Sequence, residues 1–379
     1  MAAPPAARGP VEVSGWADAT GRAVHVFATS AWNGLGATPH QVWAFRRAEL
    51  AVHAETPFRL TDGERATMLH IRTLPPRAQG VDRLLPVLRA LLAPLLPRAA
   101  SLGQRARVAV VLALAERLAT AKAEVRRLEA AADGDARAAG LEPGVLSVPR
   151  GHAGLAFALP GVCAALAAGR IEAAIVGGID TCYDADAVDA LLAAGRLYDG
   201  KNLESFIPGE GGAFLLLSRA DLGRPLRWSA PARLEAVAYA DEPAETDADA
   251  PITGEALTRA VRAICDPLEA AGRKVDWWLS DLTHERDRVR EWQLVMPRAM
   301  VGVSEGEPVL ELLAPFLGDL GAAALPTALV LAAEGFTRGD PPTARTCLAC
   351  ASSAGPARGA VLLSSAVAPT PARDAHGGG

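Results

Sequence analysis

The side chains in this sequence that could do chemistry are two histidines and an aspartate. His152 immediately precedes a long apolar stretch, Asp319 precedes a second one, and His284 lies between them in a polar run. Brought together, two imidazoles and a carboxylate would form a base relay or a metal site. Because three mixed ligands at such long sequence separations are weak evidence for a metal ion, we expect no metal. We expect no other cofactor either.

Both histidines also have an ordinary structural interpretation. A buried histidine such as His152 often serves only as a hydrogen-bonded core residue. His284 is followed directly by a Glu-Arg-Asp run, which favours a polar loop network over a catalytic centre. The residues alone therefore leave packing, ligand binding and catalysis open for His152 and His284.

The cysteines do not offer a replacement nucleophile. Cys163 lies three helical turns beyond His152, about 16 Å along a helix, which is too far to act at the same place. Cys347 and Cys350 form a single Cys-x-x-Cys pair without a second pair to complete a zinc site, so we predict strand or core cysteines. The total of five is odd, and the chain has no expected secretory signal, which favours reduced thiols over disulfides.

The composition indicates a globular chain with a large core. Half of the 379 residues are hydrophobic, the formal net charge is −5, and both charge signs are spread along the sequence. This pattern lacks the basic footprint of a nucleic-acid-binding protein. It also lacks the roughly 20 consecutive apolar residues that span a bilayer, and the N-terminus has no signal-peptide core. We therefore expect a cytoplasmic protein that binds neither nucleic acid nor membrane.

Short β-branched runs alternate with long Ala/Leu-rich stretches, which indicates an α/β protein. The strand candidates include VHVFAT (24–29), RVAVVLAL (107–114), AAIVGG (173–178), AFLLLS (213–218) and VDWWLSDL (275–282). Two helix candidates, 154–169 and 319–335, are apolar on nearly every side and should be buried, although Pro160 would kink the first. Two successive halves of this kind predict a layered α/β/α/β/α sandwich.

The chain divides into an N-terminal half at 11–225 and a C-terminal half at 226–367. The segments 1–10 and 368–379 are small, polar or rich in Gly and Pro, and we expect them to be disordered tails. In the second half, Trp277 and its neighbour Trp278 lie on a strand candidate, so one ring should pack on each face of the sheet.

Five segments resemble, in order, the motifs of the β-ketoacyl synthases of the thiolase superfamily. They are VFATSAWNGLGATPHQVWAFRRAE (26–49), GHAGLAFALPGVCAALAAGRIEAAIVGGID (151–180), ESFIPGEGGAFLLLS (204–218), LSDLTHERD (279–287) and FLGDLGAAALPTALVLA (316–332). The resemblance implies the duplicated thiolase-like fold. Its two apolar helices, beginning near 153 and 320, should be antiparallel, nearly inaccessible and sandwiched between two mixed sheets.

The resemblance places His152 where the family has the cysteine that carries the acyl chain as a thioester. A helix N-terminus favours negative charge and so activates such a thiol. An imidazole there would store the chain poorly, because acyl-imidazoles hydrolyse readily. The same helix end opposes an imidazolium, so we expect a buried His152 to be neutral.

The other catalytic positions are altered as well. The resemblance implies that His284 is the first catalytic histidine, although the Gly-Thr loop that follows it in the family is absent. The second histidine position holds Asp319, and the family's lysine falls on Ala314. The two histidines polarise the malonyl thioester carbonyl, so Asp319 would repel the developing charge. One lost donor of this kind costs about 3 kcal/mol or more.

The backbone motifs are kept in part. The family's Gly-rich oxyanion loop corresponds to Ser353-Ala354-Gly355-Pro356, so the Ala354 amide survives in a rebuilt loop. The structural positions that the resemblance implies are Gly177, Gly178, Gly209 and Glu210. Because its flanking glycines imply a tight backbone site, Glu210 is interpreted as structural rather than catalytic.

These changes predict a β-ketoacyl synthase-like protein of fatty acid or polyketide metabolism that does not condense. It would resemble the chain-length-factor subunits of polyketide synthases, or be an acyl-binding pseudoenzyme. The alternatives are an acyltransferase or thioester hydrolase with a rebuilt His/Asp site, and a scaffold that has lost acyl binding. The sequence does not decide whether any catalysis remains.

Members of the family dimerise by joining their N-terminal-half sheets edge to edge, and the resemblance extends this expectation to the present chain. We expect a homodimer, or a heterodimer with an active ketosynthase, that buries well over about 2,000 Å². An acyl carrier protein is a further expected partner.

Overall fold

The computed structural model describes residues 12–15, 23–242, 252–299, 309–341 and 344–366. The tails expected at 1–10 and 368–379 lie outside the described residues, and the boundary between residues 225 and 226 stays a prediction. Among the described residues, none of the helices combines the length and the apolar character needed to cross a membrane.

The strands and helices follow one another along the whole described chain. The strands are β1 (Glu12–Gly15), β2 (Val24–Asn33), β3 (Ala54–Arg59), β4 (Arg65–Met68), β5 (Arg107–Ala113), β6 (Glu142–Val148), β7 (Ala173–Thr181), β8 (Glu210–Arg219), β9 (Ala232–Asp241), β10 (Trp277–Ser280), β11 (Val309–Leu312), β12 (Thr346–Ser352) and β13 (Ala357–Ser365). The helices are α1 (Pro39–Arg47), α2 (Gly80–Leu92), α3 (Leu96–Ala100), α4 (Lys122–Ala138), α5 (Gly154–Ala167), α6 (Ala185–Ala193), α7 (Ala220–Gly223), α8 (Glu255–Ala270), α9 (Arg286–Ala299), α10 (Ala314–Leu317) and α11 (Ala324–Arg338). Short 3₁₀ turns lie at Glu116–Ala119, Gly151–Ala153 and Gly321–Ala323.

The sheet repeats one arrangement of five strands. The first half has the order β6-β5-β7-β8-β2, and the second has β11-β10-β12-β13-β9. By position along the chain, both orders read third, second, fourth, fifth, first. In both halves the second strand pairs in parallel with the third and the fourth, and the fifth pairs antiparallel with the fourth and the first. This identical order confirms the duplicated α/β fold.

The two halves of the sheet are joined, whereas the sequence analysis expected two separate sheets. β2 pairs with β9 at only two positions, His25 with Arg233 and Val26 with Ala232. The join is short because most of β2 pairs with β8, and most of β9 pairs with β13. In each half of the sheet, one face packs against the central layer.

The layers follow from the alternation of side chains along the strands. α5 and α11 contact strands of both halves and form the central layer. α2 and α4 cover the outer face of the first half, and α8 and α9 cover the outer face of the second. Trp277 packs into the central core and Trp278 into the outer one, as predicted. The result is the five-layer sandwich.

The two central helices differ in burial. In α11, every residue from Ala324 to Ala333 is buried. α5 continues through Pro160, but Gly161 and Ala164 are exposed, so the expectation of near-complete burial is wrong for α5. The difference arises because one face of α5 is not covered by any element in the described part of the chain.

Candidate functional site

His152 and Asp319 meet where the two central helices begin. His152 lies in the 3₁₀ turn that leads into α5, and Asp319 lies just before the 3₁₀ turn that leads into α11. Both side chains are buried, and Nε2 of His152 is 2.5 Å from Oδ1 of Asp319. The backbone amide of Gly321 donates a second hydrogen bond, of 2.9 Å, to the same oxygen. The structure therefore brings two of the predicted site residues into direct contact.

This contact is an ion pair. Burial opposes a charge on His152, but the Asp319 carboxylate and its hydrogen bond outweigh burial and raise the pKa of His152. Burial alone would raise the pKa of Asp319, yet His152 and the nearby Arg288 hold that pKa below its usual value. The raised pKa favours a charged His152, against the expectation of a neutral one. A carboxylate at hydrogen-bond distance has a stronger effect than the helix N-terminus.

His284 does not join this pair. Its side chain is exposed, and it is not among the described residues that line the cavity beside His152. The alternation of side chains in this segment explains the difference: Thr283 and Glu285 are buried, whereas the side chain of His284 between them is exposed. The suggested relay or metal site of His152, His284 and Asp319 is not formed.

Asp281 is the residue of that segment that reaches the buried site, and the sequence analysis missed it. It directly follows β10, its side chain is buried, and it faces the same small void as Asp319. Ala314, where the resemblance places the family's lysine, also borders this void. The Ser352 amide donates to Asp281 over 3.1 Å, and Arg288 forms an ion pair with it at 2.9 Å. Its position directly after a buried strand is the signal that would have found it.

The loop at the oxyanion position is held from two sides. The Gly355 amide donates to both carboxylate oxygens of Glu116, each over 3.0 Å. From the other side, Arg358 donates to the carbonyl oxygens of Ser353, over 3.1 Å, and Gly355, over 2.6 Å. Because Gly355 already donates to Glu116, Ala354 is the better candidate for a backbone donor to a ligand.

The same loop is tied to the turn that carries His152. The Ser353 hydroxyl donates to the carbonyl oxygen of Arg150 over 2.6 Å and accepts the Ala153 amide over 3.0 Å. His152 and the oxyanion-position loop are therefore fixed relative to each other, although some 200 residues separate them in the chain.

A cavity of about 270 Å³ adjoins this arrangement. His152, Asp319 and Ala354 contribute to one part of its wall. The apolar part of the wall consists of Ala115, Ala187, Ala190, Leu191 and Phe206, and polar or charged side chains at Glu116, Arg117, Asp180, Cys182 and Arg196 complete it. We call this space the inner cavity. It has the mixed apolar and polar lining that is typical of small-molecule sites.

The polar residues of this wall were not singled out in the sequence. Arg117 donates to Asp180 and to the Thr181 carbonyl oxygen, each over 2.6 Å. Asp180 also accepts the Ala322 amide over 3.0 Å, which connects the end of β7 to the turn before α11. Burial raises the pKa of the Cys182 thiol to about 12, so Cys182 is a poor nucleophile. A charged residue at the end of a buried strand, Asp180 on β7, was the available signal here.

The other cysteines are core residues. Cys163 is buried in α5, and burial raises the pKa of its thiol. Cys347 and Cys350 are buried on β12, as predicted, and burial raises their pKa values too. These three thiols lie away from the inner cavity, whose described lining contains Cys182.

Glu210 takes part in a separate buried network. Its carboxylate forms an ion pair with Arg83 and accepts the Ile71 amide over 2.7 Å and the Thr181 hydroxyl over 2.8 Å. The Arg83 guanidinium lies 4.0 Å above the Tyr183 ring. Glu210 does not border the inner cavity as described, and this placement supports the structural interpretation.

The predicted glycines lie at close backbone contacts. A Cβ atom on Gly177 would lie 2.2 Å from the Ala213 carbonyl oxygen, and one on Gly209 would lie 2.3 Å from that of Leu317. A Cβ on Gly178 would likewise meet the carbonyl oxygen of Ala322 at 2.2 Å. These contacts hold β7, β8 and the turn before α11 close together, next to Asp319.

Comparison with known proteins identifies the fold. No protein-family model matches the sequence, and no curated protein matches it. Among solved structures, the ketosynthase from module 6 of the bacillaene synthase of Bacillus subtilis 168 matches with a TM-score of 0.70 and 12% identity, over 90% of this chain and 72% of that chain. The chain therefore has a ketosynthase-like fold.

Two further structures extend this comparison. One is the AntDE:AntF complex, which contains a type II polyketide synthase acyl-carrier protein and its ketosynthase. It matches with a TM-score of 0.72 and 14% identity, over 91% of this chain and 100% of that chain. The other is the ishigamide ketosynthase/chain length factor, at a TM-score of 0.70 and 14% identity over 91% and 99% of the two chains. At such identities the similarity establishes the fold, and function must be argued from the site.

Proposed function

We propose that this chain is a β-ketoacyl synthase-like protein of fatty acid or polyketide metabolism that binds an acyl group without condensing it. It would act as a chain-length-factor-like partner of an active ketosynthase, or as an acyl-binding pseudoenzyme. The observation that carries this proposal is the His152–Asp319 ion pair at the positions implied for the nucleophile and the second histidine.

Neither member of the pair can do the family's chemistry. A protonated His152 whose Nε2 donates to Asp319 has no free electron pair on that nitrogen to attack a thioester. Asp319 presents a negative charge where an enolate needs a hydrogen-bond donor. The nearby Asp281 carboxylate is a second acceptor, so the buried site opposes decarboxylation.

The inner cavity supports ligand binding over a scaffold that has lost it. A filled space beside His152 would favour the scaffold, whereas the cavity of about 270 Å³ is close to the lower end of ordinary ligand pockets. Its apolar wall suits a short acyl group, and the Ala354 amide can donate to a carbonyl oxygen. The ishigamide structure, which contains a chain length factor by name, is an analogy in the same direction.

Intact-mass measurement tests this proposal. Wild type and His152→Cys are incubated with an acyl carrier thioester, and labelled malonyl donor is then added to follow carbon dioxide release. We expect no covalent adduct on wild type and an adduct on His152→Cys at the peptide containing position 152. Condensation by His152→Cys should stay at least about a hundredfold below that of an active ketosynthase, because the histidine donor is missing. A covalent adduct on wild type, or condensation by wild type above background, would replace the proposal with the enzyme alternative.

The second candidate is an acyltransferase or thioester hydrolase. The contact between His152 and Asp319 beside an open cavity favours it, since a carboxylate can orient an imidazole that acts as a general base. Because Asp319 raises the pKa of His152, such a base would gain activity as pH rises. Thioester hydrolysis by wild type that exceeds that of His152→Gln, and that increases with pH, would support this candidate.

A further inference from the structure

A second pocket lies beside the inner cavity. It has a volume of about 550 Å³, and its wall is mostly charged, with Glu285, Arg286, Arg288, Glu291 and Arg358 among its lining residues. We call it the outer pocket. Arg196 and Ala354 line both spaces, so the two meet at these residues.

An ion pair lies at this meeting point. Nε and Nη2 of Arg196 donate to the two carboxylate oxygens of Glu285 over 2.6 and 3.3 Å. The Thr283 hydroxyl donates to Glu285 over 3.1 Å, and the Arg196 guanidinium lies 5.3 Å from the centre of the Phe206 ring. The Phe206 amide also donates to the Arg196 carbonyl oxygen over 3.0 Å. The backbone at Arg196 is therefore held by the segment that carries Phe206, and a ligand that crosses this place has to displace the Arg196 side chain.

We propose that the Arg196–Glu285 ion pair separates the inner cavity from the outer pocket and determines which acyl groups reach His152. The proposal rests on the acyl-binding function proposed above. A thioester whose carbonyl oxygen met the Ala354 amide would lie at the junction, with its acyl group in the apolar inner cavity and its polar stem in the outer pocket. Such a ligand crosses the place where the ion pair lies, so a closed pair admits only a short acyl group.

The reactivity of Cys182 tests the separation without any acyl ligand. Cys182 lines the inner cavity, and it is the partly exposed one among the five free cysteines. The charge of Arg196 lowers the pKa of this thiol, so removal of Arg196 would by itself slow alkylation. Faster alkylation of Arg196→Ala would therefore report better access.

We expect a bulky maleimide to label Cys182 about fivefold faster in Arg196→Ala than in wild type. A fivefold change in rate corresponds to about 1 kcal/mol, which is the upper range of the free energy that a partly exposed ion pair contributes. Iodoacetamide, which is small, should show no such gain. Arg286→Ala is the matched control, because Arg286 also lines the outer pocket but pairs with Glu204 in an exposed contact. Equal or slower maleimide labelling of Arg196→Ala would overturn the proposal.

Binding of acetyl-pantetheine and octanoyl-pantetheine, measured by calorimetry, tests the effect on ligands. Wild type should prefer the acetyl compound. In Arg196→Ala, the ratio of the two dissociation constants should shift toward octanoyl by at least about tenfold. A shift of this size corresponds to the burial of about two additional methylene groups. Binding with an unchanged ratio would contradict the role of the ion pair and leave the proposed function intact. Failure of wild type to bind either compound would contradict the proposed function, and Cys182 labelling would still decide the separation.

Discussion

At the scale of single residues, the pairing of His152 with Asp319 decides the chemistry of the site. Each residue would behave differently by itself, because a buried histidine tends to be neutral and a buried carboxylate tends to be protonated. At 2.5 Å, each stabilises the charge of the other. The two positions that the resemblance assigns to a nucleophile and to a hydrogen-bond donor are thereby occupied by one buried pair.

The stability of the protein should depend on pH through this pair. The raised pKa of His152 means that its contribution is fully present below the ordinary histidine value of 6.5 and is lost as pH rises through the raised value. The lowered pKa of Asp319 means that its contribution is present above the ordinary value of 3.8 and is lost as pH falls through the lowered value. We expect the difference in unfolding free energy between wild type and His152→Gln to shrink as pH rises above 6.5.

Urea unfolding at a series of pH values measures this difference. His284→Gln is the control, because an exposed side chain changes the free energy of unfolding by only about 0.5 kcal/mol or less. A wild-type advantage over His152→Gln that grew with rising pH would contradict the ion pair.

At the scale of elements, the site depends on two helices that start at the same place. Each is preceded by a short 3₁₀ turn, at Gly151–Ala153 and at Gly321–Ala323. The second turn lies directly against Gly178 on β7, close enough to exclude a methyl group. The position of Asp319 therefore depends on a backbone contact between elements that are distant in the sequence.

We expect Gly178→Ala to destabilise the fold by about 1–3 kcal/mol or more, because its Cβ would meet the Ala322 carbonyl oxygen at 2.2 Å. Gly134→Ala is the matched control. Gly134 lies within α4 and has open space around it, so an alanine there should stabilise the protein by about 0.5–1 kcal/mol. Denaturant unfolding measures the free energy of unfolding of both variants. Equal values would show that the turn at Gly321–Ala323 can move away from β7 with little loss of stability.

At the scale of the whole molecule, the sheet has an edge strand, β6, with one unpaired side among the described strands. β6 is the last strand of its half and pairs with β5 on one side only, among the described strands. Leu146 on β6 is 50% exposed. α5, whose small residues Gly161 and Ala164 are exposed, contacts β6. An unpaired edge with an apolar residue next to an uncovered helix face is a surface that protein chains usually cover.

We expect this edge to form the predicted dimer, through antiparallel pairing of two β6 strands or of β6 with a ketosynthase partner. Leu146→Lys should then weaken a homodimer at least about a hundredfold, since two buried leucine side chains would be lost. Leu226→Lys is the control, because Leu226 is 38% exposed but lies outside β6 and α5. Light scattering over a range of concentrations measures the effect. A wild-type monomer at micromolar concentration, with no co-expressed partner, would contradict the expectation.

The sequence by itself determined the alternation of strands and helices and the two long apolar helices, whereas the five-layer duplication followed from the resemblance and not from periodicity. The pattern that carries this information is local: an apolar stretch such as 154–169, or a buried strand such as 173–178, shows its character within a few turns or residues. The Gly177-Gly178 pair came instead from the resemblance to the ketosynthases, and the close contacts in the fold allow no side chain at these positions.

Only the tertiary structure decided which charged groups meet. The sequence analysis chose His284, but Asp281, three residues earlier, is the side chain that reaches the buried site. It also expected a neutral His152, because the distance to a carboxylate 167 residues away cannot be read from either segment. Electrostatic effects depend on distance and burial in the folded chain, whereas hydrophobic periodicity depends on neighbours in the sequence, and this is why the fold was predictable and the charge state of the site was not.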